Sequence, residues 1–161
     1  VQRHLAAIRE NERVHVVWQR GTRYHDTIAR EVGGNPRLQI VEYIVRMGPA
    51  YAAATLAVCR AGALTCSELL VTGTPAVLVP SPNVTADHQT KNARSMEQAG
   101  AATVLPEPEL ETRLGTQVTG LLDDPAALRD MTAAARAHAR PDAAETIARD
   151  VLTLADHYRS N

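Results

Sequence analysis

The sequence predicts an α/β domain built on a doubly wound parallel sheet and finished by helices at its C-terminal end. Three observations predict it. Between residues 14 and 105, short β-branched and apolar runs alternate with stretches of helical period, the pattern of parallel strands joined by crossover helices. Glycine or proline stands at many boundaries, at Gly33-Gly34, Gly73, Gly100, Pro106, Pro125 and Pro141, where such residues end helices or open them. After residue 105 only the helical period remains.

The elements run in order along the chain. Residues 14–18 (VHVVW) read as the first strand, 22–32 as a helix ended by Gly33-Gly34, and 38–41 as the second strand. A short helix over 47–54 leads to a third strand, 56–59, and a helix over 63–71 is closed by Gly73. Residues 75–79 (PAVLV) form a fourth strand, followed by a polar loop, a helix over 86–99 ended by Gly100, and a fifth strand over 102–105. Three helices complete the chain, over 109–122, 126–139 and 143–158. Residues 1–9 are also helix-like, and the absence of an initiator Met before Val1 reads as the start of a fragment. No internal repeat or low-complexity linker divides the chain, so one domain is expected.

Composition narrows the function. The 161 residues suffice for one hydrophobic core. Hydrophobic residues make up 45% and aromatics 3%, with no Phe, so Ala, Leu, Val and Ile must build the interior. A net charge of −1 without a run of basic residues argues against a nucleic-acid partner. Of 17 basic residues only Lys91 is a lysine, a bias with no functional account. Cys59 and Cys66 are too few for a zinc cluster; their number permits a disulfide, but two buried thiols are the commoner arrangement. The six histidines lack metal-ligand spacing, so neither a metal nor a cofactor is expected. No stretch approaches the roughly 20 apolar residues of a membrane helix, and no secretory signal opens the chain, which reads as cytoplasmic.

In doubly wound sheets ligands bind beyond the carboxyl ends of the strands. The loops to inspect are therefore 19–22, 42–47, 60–65 and 80–89. The sharpest segment is 60–68 (RAGALTCSE). Its small residues allow close backbone approach, and a helix start suits a diphosphate. Glu68, about one turn in, could accept both hydroxyls of a ribose. Thr65-x-x-Glu68 also fits a capping box, and spacing alone favours that reading. The loop 80–89 (PSPNVTADHQ) groups donors and acceptors suited to sugar hydroxyls, although Asn83 and Asp87 commonly serve turns and caps. In 42–47 (EYIVRM) apolar groups beside exposed backbone could hold a flat base, or simply pack the core. Gln19 and Gly21 close the first strand, where a glycine ordinarily means a tight turn.

Several segments in register carry a resemblance: residues 51–54 (YAAA), 58–69 (VCRAGALTCSEL), 73–76 (GTPA), 79–84 (VPSPNV), 87–93 (DHQTKNA) and 99–102 (AGAA). Together they resemble the MurG family, which transfers N-acetylglucosamine (GlcNAc) from UDP-GlcNAc to a lipid-linked muramoyl-pentapeptide in bacterial cell-wall synthesis. The resemblance implies the GT-B fold, two Rossmann-like domains facing across a cleft, of which this chain is similar to the C-terminal, donor-binding one. It implies that Ile44 meets uracil through its backbone with Tyr43 and Met47 alongside. It puts Ala63, Leu64 and Thr65 at the diphosphate, Glu68 on the ribose, and His88 and Gln89 at the GlcNAc hydroxyls.

The chain departs from the family in lacking the N-terminal domain, to which the resemblance assigns the general base, the lipid-linked acceptor and docking on the inner face of the membrane. The family's first strand with its Gly-Gly-Ser loop is absent as well. The catalytic residues therefore stay unassigned, and the chain alone is expected to be inactive. The rival expectations are the donor part of another GT-B transferase, acting on glycolipids or in a two-chain GlcNAc transferase, and a non-catalytic UDP-sugar-binding fragment.

Overall fold

The structure, a computed structural model, describes residues 12–21, 35–82 and 87–159. The expected helices over 1–9 and 22–32 with Gly33-Gly34, and Asn83 of the polar loop, lie outside the described residues.

Among the described residues five parallel strands form two groups. β1 (Val16–Gln19) pairs with β2 (Leu38–Val41), Val16 opposite Leu38. β3 (Ala57–Cys59), β4 (Ala76–Leu78) and β5 (Ala102–Val104) form a second sheet with β4 central. The order is β1-β2 in one sheet and β3-β4-β5 in the other. A doubly wound sheet runs 3-2-1-4-5-6. The parallel pairing within each observed group agrees with that class of sheet.

The crossovers are helical. α1 (Met47–Ala53) leads into β3, α2 (Ala63–Thr72) joins β3 to β4, and α3 (His88–Gln98) joins β4 to β5. Beyond β5 a single 3-10 turn, Glu107–Glu109, opens α4 (Leu110–Leu122), followed by α5 (Pro125–His138) and α6 (Ala143–Arg159). α5 starts with proline at its first position, and Asp124 Oδ1 accepts from the Ala126 and Ala127 amides at 3.1 and 3.0 Å, a built N-cap.

The core lies on both faces of β4, whose three residues are all buried. Leu78 joins Leu69, Met96 and a set of alanines on one side, with Ala135 of α5. Val77 and Val79 pack with Leu105, Leu114 and Val118 on the other. Such side chains each contribute about 1.5–3 kcal/mol on burial, which makes the β4 layer the firmest part of the domain. Gly73 ends α2 at φ 70°, and an added Cβ there would lie 2.6 Å from Arg136 Nε, so only glycine fits this turn. α6 instead leaves Ile147, Val151, Leu154 and Tyr158 exposed.

Candidate functional site

The candidate residues collect at the carboxyl ends of the strands. Residues 42–46 leave β2 and enter α1, 60–62 leave β3 and enter α2, and 79–82 leave β4 on the way to α3. α1 packs on α2 and α2 on α3, which brings the three segments to one edge of the domain.

The start of α2 corrects one expectation. Its N-cap is Gly62, in extended conformation (φ −65°, ψ 148°). The helix therefore begins two residues before Thr65, which sits at its third position, so no Thr65–Glu68 capping box forms. No side chain among the described residues caps this end. The amides of Ala63, Leu64 and Thr65 belong to the first turn and have no intrahelical acceptor. They face outward with the positive end of the helix dipole, a setting that attracts anions. Leu64 is 82% exposed, too open for a residue held for core packing. Glu68 is exposed, and its carboxylate makes no hydrogen bond or ion pair among the described residues.

Tyr51 of α1 buttresses this edge. Its hydroxyl hydrogen-bonds with Thr65 and Cys59, and burial pushes it up to about 12. The Cys59 thiol is likewise pushed up to about 12, first by burial and then by the neighbouring Cys66. Both cysteines are free thiols. Asn92 Nδ2 of α3 donates to the Ala61 carbonyl at 3.1 Å and fixes the small-residue loop from the other side.

At the base-proposed segment Tyr43 is 70% exposed and Val45 85%, so neither serves the core. The Ile44 amide donates to Gln19 Oε1 at 2.8 Å. A ligand carbonyl meeting this amide would replace the glutamine. Met47 begins α1 and is half-buried.

On the β4 side Asp87 adopts a left-handed conformation (φ 54°) and makes no side-chain cap, so α3 begins at His88, two residues later than the sequence predicts. His88 is exposed. Gln89 Oε1 accepts from the Ser81 amide at 2.9 Å, which pins the glutamine to the loop after β4; its amide nitrogen has no partner among the described residues.

Two residues given no role from the sequence complete the edge. Arg60 Nη1 donates to Glu107 Oε2 at 2.8 Å and Nη2 to Oε1 at 3.2 Å, a two-point pair. The same Nη1 reaches the Val79 and Pro80 carbonyls at 3.4 and 3.3 Å. Hydrogen bonds from Arg60 hold the Glu107 carboxyl below the ordinary carboxylate range. Arg60 lies inside the 58–69 motif and so had a signal; Glu107, 47 residues away, had none. Among the described residues no group of three or more His, Cys, Asp or Glu could hold a metal ion.

Parallel strands joined by helices, an uncapped helix start beyond β3 and polar loops beyond the strand ends define an α/β domain of the Rossmann-like class. Residues 1–147 match the glycosyltransferase family 28 C-terminal domain, and the chain belongs to that family. Over all 161 residues it is 64% identical to a Salinibacter ruber protein named UDP-N-acetylglucosamine--N-acetylmuramyl-(pentapeptide) pyrophosphoryl-undecaprenol N-acetylglucosamine transferase, of which it covers 44%. A Porphyromonas gingivalis protein of the same name is 40% identical over 146 residues, 89% of this chain and 38% of the relative. The chain thus spans less than half the length of these curated relatives. Among solved structures, Acinetobacter baumannii MurG superposes with a TM-score of 0.78 at 31% identity, over 91% of this chain and 44% of that one. The glycosyltransferase VinC, with a TM-score of 0.65 at 21% identity over 82% of this chain and 30% of its own, shares the fold.

Proposed function

We propose that this chain is the donor-binding part of a hexosyltransferase that moves GlcNAc from UDP-GlcNAc to a lipid-linked muramoyl-pentapeptide during peptidoglycan synthesis. The observation that carries this reading is the 64% identity to the Salinibacter ruber transferase along the whole chain. The uncapped start of α2 supports it. Ala63, Leu64 and Thr65 supply amides to the diphosphate, and Glu68 accepts the ribose hydroxyls. Tyr43, Ile44 and Met47 flank the uracil. His88 and Gln89 meet the sugar.

In an inverting transfer, negative charge grows on the UDP leaving group as the acceptor hydroxyl attacks the anomeric carbon. Amides and a helix dipole fixed in advance toward that charge lower the barrier without reorganising. Removal of the acceptor proton falls to a base in a second domain, upstream, which also holds the acceptor and docks on the inner face of the membrane. That domain, with the strand and Gly-Gly-Ser loop of the family, completes the enzyme on this reading. Among the described residues no helix is long and apolar enough to cross a membrane.

The test is a titration with UDP-GlcNAc and with the corresponding ADP and GDP sugars, followed by radiolabelled GlcNAc transfer. Three proteins are compared: this chain, this chain with the upstream strand and loop, and the protein with the whole upstream domain. UDP-GlcNAc should bind the first weakly and the second more tightly, and only the third should turn over. Equal affinity for the ADP sugar, or transfer by the shortest protein, would refute the assignment.

A further inference from the structure

Three strands end side by side, and one guanidinium joins the segments beyond all three. Arg60 itself leaves β3, its Nη1 reaches the Val79 and Pro80 carbonyls just past β4, and both terminal nitrogens grip Glu107 in the 3-10 turn past β5. The loop held this way contains Ser81, whose amide engages Gln89. On the other side of Arg60 lies Ala61, whose carbonyl is held by Asn92. The Arg60 and Glu107 side chains are 48% and 37% exposed, and an ion pair so open to water adds little to stability. What it does add is geometry: a planar fork with fixed donor directions.

We propose that Arg60 and Glu107 form a positioning pair that sets the spacing between the segment after β3 and the segment after β4, and so aligns the sugar-facing residues with the diphosphate-facing ones. The role rests on the donor-binding reading above. Glu107 orients the guanidinium, and the guanidinium carries the loop that pins Gln89. A lysine at position 60 is a single point of charge and cannot serve a carboxylate and two carbonyls in fixed directions.

The test uses Arg60→Lys and Glu107→Gln in the 161-residue chain. Two quantities are read: the Kd for UDP and for UDP-GlcNAc, and hydrogen exchange at the Ser81 amide against those of Val79 and Leu105, which bond to Cys59 and Leu78 carbonyls. A misaligned sugar segment should raise the Kd for UDP-GlcNAc about tenfold or more while that for UDP changes less than about threefold. Ser81 should exchange faster and the two control amides unchanged. The reversed pair, Arg60→Glu with Glu107→Arg, should not rescue, because a glutamate cannot donate to the two carbonyls. Should Arg60→Lys loosen the fold, the control amides reveal it, and Glu107→Gln, which keeps an acceptor for the guanidinium, carries the comparison. Equal losses for both ligands, unchanged affinities, or rescue by the reversed pair overturn the positioning role. A wild-type chain that binds neither UDP nor UDP-GlcNAc overturns the donor-binding reading first, and this proposal with it.

Discussion

Glu68 stands one turn into α2, exposed, outside the N-cap and without a side-chain partner among the described residues. Glu68→Ala therefore removes no cap and no hydrogen bond or ion pair seen among the described residues. A surface change of this kind alters stability by about 0.5 kcal/mol or less, which for a domain of this size moves Tm by about 1–2 °C. If the carboxylate instead holds a ribose through charge-assisted hydrogen bonds, its loss costs about 1.5–3 kcal/mol of binding, or about 10- to 150-fold in Kd. The two quantities separate cleanly. Differential scanning fluorimetry gives Tm without ligand, and calorimetry gives the Kd for UDP and UDP-GlcNAc. Both ligands carry the ribose, so both should weaken alike. A Tm drop beyond about 4 °C with unchanged Kd would refute the reasoning and return Glu68 to a structural role.

Gln89→Ala should weaken UDP-GlcNAc while sparing UDP, because it removes the group proposed for the sugar and frees the Ser81 amide; paired titrations decide it, and equal losses count against sugar recognition. Arg20→Met should raise Tm by about 2–12 °C, since Arg20 Nε and Nη1 are buried without partners among the described residues and an unsatisfied buried donor costs about 1–3 kcal/mol. Tyr51 and Cys59 are held neutral by burial, with folded values near 12 against ordinary ones of 10.0 and 9.0. Their contribution to stability is complete below pH 9 and lost as pH rises through about 12, so melts should be insensitive to these two groups at neutral pH and fall in strong alkali. Iodoacetamide at pH 8 should label Cys59 far more slowly in the folded chain than after denaturation, as mass spectrometry would show.

Much of this layout was legible in the chain because its signals are local. The runs at 38–41, 75–79 and 102–105 are apolar and short, bounded by glycine or proline, and the strands fall there within a residue or so. Val14 and His15 look like strand but precede its first pair, because β2 offers no partner before Leu38. The helix over 86–99 starts late because Asp87 turns left-handed, a choice that spacing does not reveal. The Thr65–Glu68 box failed for a related reason: Gly62 already provides the extended residue from which α2 departs. The separation of the strands into two sheets depends on which edges meet in space. The Arg60–Glu107 pair spans 47 residues, and no local pattern announces so distant a contact.

The alanines beside β4 have a consequence for how this interior can change. Ala61, Ala76, Ala93, Ala101 and Ala135 are fully enclosed, so helices and sheet approach to the distance a methyl group allows. Each added methylene would overpack this enclosed cluster, at about 1–3 kcal/mol. Removing the methyl instead mainly adds freedom to the unfolded chain, worth about 0.4–1 kcal/mol. Substitution here is one-sided. A compensated exchange, in which one residue grows as another shrinks, needs a large neighbour to give way, and on this face that means Leu69, Leu78 or Met96. The enclosed alanines therefore fix the layer spacing beneath the strand ends, and with it the height at which the loops beyond them stand.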